Sequence, residues 1–155
     1  KLYNGKYHTL CLDAFASNIP IFFSQHELDE YATFLSKNAA DNYWCIFDNE
    51  QFIGAGGFWV SENGSARLCY GIIHALHHKK GFGRALVEYR LRKLASNDSV
   101  KCIGLDTSQH NPGFFKRFGF GEIEVKPDAY APGLHAHEME LVLSPTNRKH
   151  ILDAT

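Results

Sequence analysis

An excess of either charge is the first thing missing from this chain. Sixteen Lys and Arg stand against seventeen Asp and Glu, for a formal net charge of -1. Such a balance exerts no general pull on a nucleic-acid backbone or an anionic membrane, so no nucleic-acid and no membrane partner is expected. No apolar run approaches the roughly 18 residues of a membrane span, and no signal peptide is evident. No C-x-x-C pair is present either. Cys11, Cys45, Cys69 and Cys102 lie far apart in apolar stretches, the pattern of buried free thiols in a reducing compartment rather than of a disulfide framework. Repeats, low-complexity tracts and linker-like segments are absent. The expectation is a soluble, cytoplasmic protein whose 155 residues form a single domain, 1–155.

What the chain does have is aromatic bulk, with 12 Phe and 7 Tyr, enough to fill a packed core. Residues 7–17 carry Leu10, Cys11, Ala14 and Phe15 at helical spacing. Ser24 and Glu27 form an S-x-x-E capping box, and the helix that follows places Leu28, Tyr31 and Leu35 on one stripe. The segments 43–47 and 51–60 read as an antiparallel hairpin around "DNE", and 66–76 as a third strand. A helix from Gly83 to Ala95 buries Val87, Leu91 and Leu94, and a strand over 100–108 comes next. A short helix follows, capped by Asn111, opened by Pro112 and ended by Gly119. Strands over 120–125 and 135–143 complete the order α-α-β-β-β-α-β-α-β-β. The fold class expected is α/β in the mixed α+β sense, a mostly antiparallel mixed sheet with helices on both faces.

Two glycines in "HHKKGFGRAL" interrupt this pattern between a strand and a helix. Glycine there frees the backbone to turn its amides outward beside the unpaired donors of a helix N-terminus, an arrangement suited to phosphate. Lys79, Lys80 and Arg84 add charge around it. A turn in which glycine only permits the backbone geometry fits the G-x-G pattern equally well. The P-loop pattern G-x-x-x-x-G-K-[ST] is absent, and the third glycine of a dinucleotide fingerprint is replaced by Leu86.

The segment "HKKGFG", His78 to Gly83, resembles the Q/R-x-x-G-x-G/A acetyl-CoA loop of the GNAT N-acetyltransferase superfamily. "LDTSQHNPGFFKRFGF", Leu105 to Phe120, resembles that family's second hallmark. The element order is similar too, and the resemblance covers nearly the whole chain. It implies a GNAT-type sheet with splayed central strands and acetyl-CoA as co-substrate, with no metal. The coenzyme would meet Ile72, Ile73 and His74 on the strand, and His78, Lys79, Lys80, Gly81, Phe82, Gly83 and Arg84 in the loop. Asn111 and Phe115 would be further coenzyme contacts. The acceptor would be a small-molecule or peptide amine, lined by Ser17, Asn18, Phe22 and Phe23; the family often dimerises, which leaves the oligomeric state open between a monomer and a homodimer.

The sequence departs from the family pattern at three positions. His78 replaces the Gln or Arg that opens the loop. Phe115 stands where a proton-giving tyrosine is common, which motivates a non-catalytic acyl-CoA sensor as the alternative. Arg67 stands where some relatives carry a catalytic glutamate. The catalytic candidates are therefore His135 and His137, alternating along the last strand, and Tyr130 in the loop before it, because imidazole titrates in the useful range. His74, His77 and His78 lack a cysteine or carboxylate to complete a zinc set.

Overall fold

Nine residues suffice for the first helix, α1 (His8–Ala16), because its buried stripe of Cys11, Ala14 and Phe15 is narrow. The computed structural model describes residues 1–39 and 41–154. Leu10, expected on that stripe, lies about a right angle away from it at 100° per residue and is 40% exposed. In α2 (Gln25–Lys37) the capping box forms as expected. The Ser24 amide donates to Glu27 Oε2 at 2.7 Å and the Glu27 amide to Ser24 Oγ at 3.4 Å. Tyr31 and Leu35 are buried one turn apart.

The hairpin pairs β1 (Tyr43–Asp48) with β2 (Gln51–Val60). Its turn residues Asn49 and Glu50 both hold positive φ, 45° and 69°, which matches the right-handed twist of the strands. Gly54 in β2 is obligatory on packing grounds, since a Cβ there would stand 2.1 Å from the Ile72 carbonyl oxygen. The third strand, β3 (Ser65–Ile73), stops short of the expected Leu76. Residues 75–77 instead make a single 3-10 turn, capped by His74, whose Nδ1 accepts from the Leu76 amide at 3.2 Å.

After α3 (Phe82–Ala95) and β4 (Cys102–Ser108) comes the short α4 (Pro112–Lys116). Asn111 occupies its N-cap position without a side-chain capping bond, and Gly119, at φ 95°, lies past its end. β5 (Gly121–Ala131) runs six residues beyond expectation and takes in Tyr130, which is therefore on a strand rather than in a loop. Its partner β6 (Leu134–Val142) tolerates two register shifts. β5 is the outermost strand, where Pro127 sacrifices no interior rung. A last helix, α5 (Pro145–Asp153), was not anticipated, although Ser144 and Pro145 are its start signals.

The sheet order is β1-β2-β3-β4-β6-β5. β3 and β4 pair in parallel from Ser65–Cys102 to Arg67–Gly104, while β1–β2, β4–β6 and β5–β6 are antiparallel. The chain divides into two compact units, Lys1–Phe58 with Cys69–Val87, and Trp59–Leu68 with the residues from Glu88 onward.

The first unit has an aromatic interior. Phe15 is fully buried and stacks on Phe23 at 4.3 Å and Tyr31 at 4.9 Å. The Tyr31 and Tyr43 hydroxyls meet at 2.7 Å, and Tyr43 donates to the Tyr70 carbonyl at 2.8 Å. That bond meets a distortion. Tyr70 holds φ 40° within β3, a left-handed geometry costly for a bulky side chain, and the phenol satisfies the carbonyl there.

The second unit buries Ile103, Leu105, Met139 and Leu141, paired across β4 and β6. Arg148 of α5 donates to the Ala95, Asn97 and Val100 carbonyls. Arg90 of α3 is only 2% exposed. All four cysteines are free, Cys11 and Cys45 buried, but Cys69 and Cys102 only partly so. Among the described residues no helix is long and apolar enough to cross a membrane.

Candidate active site

In the first unit, the strand-to-helix loop turns on two left-handed residues, Lys79 at φ 60° and Gly81 at φ 86°. The first is strained for a lysine and the second is easy for glycine. Nothing lies within 4 Å of where a Gly81 Cβ would stand. The glycine is therefore not there to relieve crowding inside the protein; the space beside it is open. Helix α3 begins at once, with the Ala85 amide donating to the Gly81 carbonyl at 3.0 Å. The amides before Ala85 belong to a first turn that offers no intrahelical acceptors, at the positive end of the helix dipole. Lys79, Lys80 and Arg84 are exposed around it, and Phe82 and Gly83 are half-buried. Exposed cations, an open glycine and the first-turn amides of a helix fit a diphosphate.

Behind the loop, polar side chains expected to face an acceptor are used inside the protein. Asn18 is 5% exposed; its Nδ2 donates to the Ala14 carbonyl at 2.8 Å and the Ile73 carbonyl at 3.0 Å. Ser17 Oγ donates to the Ala14 carbonyl at 2.6 Å and accepts from the Ala75 amide at 2.9 Å. His78 Nε2 lies 2.9 Å from the same Ile73 carbonyl, and the Phe22 ring meets His78 edge-on at 5.6 Å. Phe23 is half-buried in the aromatic cluster against Phe15. Ile72 is buried in that cluster too, and the His74 amide is taken by Ile53.

The second unit treats its two strand histidines differently. His135 Nδ1 accepts from the Asp128 amide at 2.9 Å, so in the neutral ring the proton sits on Nε2 and no lone pair remains there. Gln109 holds the same corner, accepting from the His135 amide and donating to the Gly133 carbonyl, both at 2.7 Å. His137 Nδ1 faces Glu122 Oε2 at 2.9 Å. A carboxylate there accepts a hydrogen bond from Nδ1–H, which in the neutral ring leaves the Nε2 lone pair available. Glu122 is held below the ordinary carboxylate value, first by that hydrogen bond.

Arg67 is no stand-in for a base. It donates to Asp106 Oδ2 at 2.7 Å and lies 3.8 Å from Glu138 Oε1. Phe115 packs edge-on against Phe114 at 5.0 Å and Phe120 at 5.9 Å. Asn111 and Tyr130 are half-buried in this unit. Among the described residues no group of three or more His, Cys, Asp or Glu is placed to hold a metal ion.

Residues 13–143 match the model of the acetyltransferase (GNAT) domain. The chain belongs to the GNAT acetyltransferase family. It is, on that membership, an N-acetyltransferase. Solved GNAT structures share its fold at low identity. One is the ribosomal-protein-alanine N-acetyltransferase of Brucella melitensis, 14% identical with a TM-score of 0.73, over 92% of this chain and 98% of that one. A second is a variant of spermidine N-acetyltransferase from Vibrio cholerae, 18% identical with a TM-score of 0.71, over 97% and 94%. A third is an aminoglycoside 6'-N-acetyltransferase complexed with coenzyme A, 16% identical with a TM-score of 0.73, over 92% and 93%. No curated protein sequence matches the chain significantly.

Within this GNAT chain, sequence reasoning missed Glu122, Asp106 and Glu138. Each carboxylate lies on a strand, where only the register reveals its partner. Asp106 stands opposite Glu138, and Glu122, paired with Met139, reaches His137 diagonally across the strands.

Proposed function

We propose that this GNAT acetyltransferase moves an acetyl group from acetyl-CoA directly onto an amine, acting as one domain in the cytoplasm. The observation that carries the reading is the left-handed, unobstructed Gly81 beneath a helix N-terminus with Lys79, Lys80 and Arg84 around it. Residues 79–84 hold the coenzyme diphosphate through their amides; Ile72 to His74 stay assigned to the pantetheine arm by resemblance to the family, although the Ile73 carbonyl and the His74 amide are bonded within the protein. Asn111 and Phe115 remain assigned as coenzyme contacts by resemblance to the family.

When bound, the co-substrate supplies the activated thioester. His137 is the group we assign to take the proton from the attacking amine, because Glu122 orients its Nδ1 and leaves Nε2 to accept. His135 lacks that lone pair in the neutral ring. With Phe115 unable to donate a proton, the thiolate leaves and is protonated from solvent, which a thiol of ordinary pKa about 8.5 permits. Phe22 is the acceptor-side candidate, a small-molecule or peptide amine being the substrate class. Ser17 and Asn18 act from behind.

Turnover of acetyl-CoA against a panel of amines tests this. Release of free thiol with at least one amine, dependent on His137, supports it. Tight coenzyme A binding with no transfer to any amine would instead favour the sensor reading that Phe115 motivates.

A further inference from the structure

The first loop position departs from the family pattern, and the structure gives His78 a different task. Successive strand residues turn their peptide groups to opposite edges. The His74 amide is directed at β2, donating to the Ile53 carbonyl at 2.9 Å. The Ile73 carbonyl therefore points off the other edge of β3, where the β2 ladder cannot satisfy it. Two side chains reach that oxygen, Asn18 Nδ2 at 3.0 Å and His78 Nε2 at 2.9 Å. Together they occupy both of its lone pairs.

His78 is the last residue before the left-handed Lys79, and its own amide bonds back to the Ala75 carbonyl. The loop that carries Lys79 and Gly81 is thus tied to the strand end at its root. Asn18 ties the same point to the C-terminal end of α1 through the Ala14 carbonyl.

We propose that His78 and Asn18 are positioning residues for the coenzyme loop, clamping the Ile73 carbonyl so that residues 79–84 stay in their diphosphate-binding conformation. The inference rests on the acetyl-CoA reading above. It gives His78 a side-chain role where the loop otherwise works through its backbone, and it turns Asn18 from an acceptor contact into a strut. A Gln at position 78 would donate to the same carbonyl from its Nε2 amide, so the clamp asks for a donor of that reach, not for an imidazole.

Titration calorimetry with coenzyme A on the full chain tests this. His78→Ala should weaken binding about tenfold, the loss of one hydrogen bond's worth of loop order. His78→Gln should restore affinity to within about threefold, because it restores the donor. The KM for acetyl-CoA should rise in His78→Ala with kcat unchanged, a split that a merely structural role would not produce. Asn18→Ala should show the same weakening together with a lower Tm, since it also releases α1. Wild-type affinity in His78→Ala, or a failure of His78→Gln to rescue, overturns the clamp while leaving the coenzyme site intact. Absence of coenzyme A binding by the wild-type protein overturns the acetyl-CoA reading itself, and the clamp with it.

Discussion

The glycine-loop region and the histidine-bearing strands, one in each unit, place their polar groups differently. In the first, polar side chains turn inward. Tyr31, Tyr43, Asn18 and Ser17 bond to one another or to main-chain oxygens, and what faces solvent at the loop is backbone and exposed cations. In the second, polar side chains stay accessible at the strand surfaces. Arg67, Asp106, Glu138 and Lys126 make a chain of ion pairs, and Glu122 holds His137. A backbone site needs rigid walls and open space, so its supporting groups are buried. The proton transfer proposed for His137 needs titratable side chains, and those around it stay within reach of water. The contrast predicts which substitutions act on geometry and which on chemistry.

The largest effect should come from filling the open space. Gly81→Asp sets a carboxylate against the diphosphate, a like-charge contact costing several kcal/mol, so coenzyme A affinity should fall about a thousandfold. The substitution strains a φ of 86°, but no protein atom is nearby to clash, so circular dichroism should still report a folded protein. Gly81→Ala, which shares the strain without the charge, should lose far less affinity. Affinity equal to wild type in Gly81→Asp would break the assignment of the loop.

Next comes the wall itself. Phe15→Ala removes a fully buried ring that touches both Phe23 and Tyr31. It should cost about 3–4 kcal/mol in denaturant unfolding. A cost below about 1 kcal/mol would mean the aromatic cluster is not the support inferred here.

The second unit is sharpened by its paired histidines. His137→Gln should lower kcat about a hundredfold, in the range for loss of a general base. His135→Gln should change it only a few-fold, since its Nδ1 is committed to the Asp128 amide. Equal effects would remove the distinction drawn from the two ring environments.

The smallest effect is on pH. Glu122 is depressed in the fold, chiefly by the His137 hydrogen bond. Its contribution to stability is therefore present above the ordinary carboxylate range and disappears as pH falls through the folded value. Glu122→Gln should flatten the acid side of a plot of Tm against pH, with little change near neutrality.

These cases also mark what the sequence made legible. The helices before α5 and the hairpin could be read because their signals are local, whereas α5 was missed despite the equally local Ser144 and Pro145. Ser24 with Glu27, the stripe of Tyr31 and Leu35, and "DNE" each lie within a few residues of what they determine. The glycine loop was readable for the same reason. The limits of β3 and β5 were not, because they depend on tertiary contacts. His74 ends one strand by capping a turn, and bulged pairing with β6 extends the other past Pro127. The inward roles of Ser17 and Asn18 were hidden as well. Their partners Ala75 and Ile73 lie more than fifty residues away, and polar residues between two helices look the same in sequence whether they face solvent or a neighbouring carbonyl.

The linked phenols have a consequence for how the protein meets alkali. Burial drives the Tyr31 and Tyr43 hydroxyls far above the usual phenolic range, and Tyr70 is raised by the same cause. These rings should therefore stay protonated after exposed tyrosines have turned to phenolate. Their ultraviolet signature would appear only as the native packing gives way, making the kink in the third strand a built-in optical gauge of denaturation at high pH.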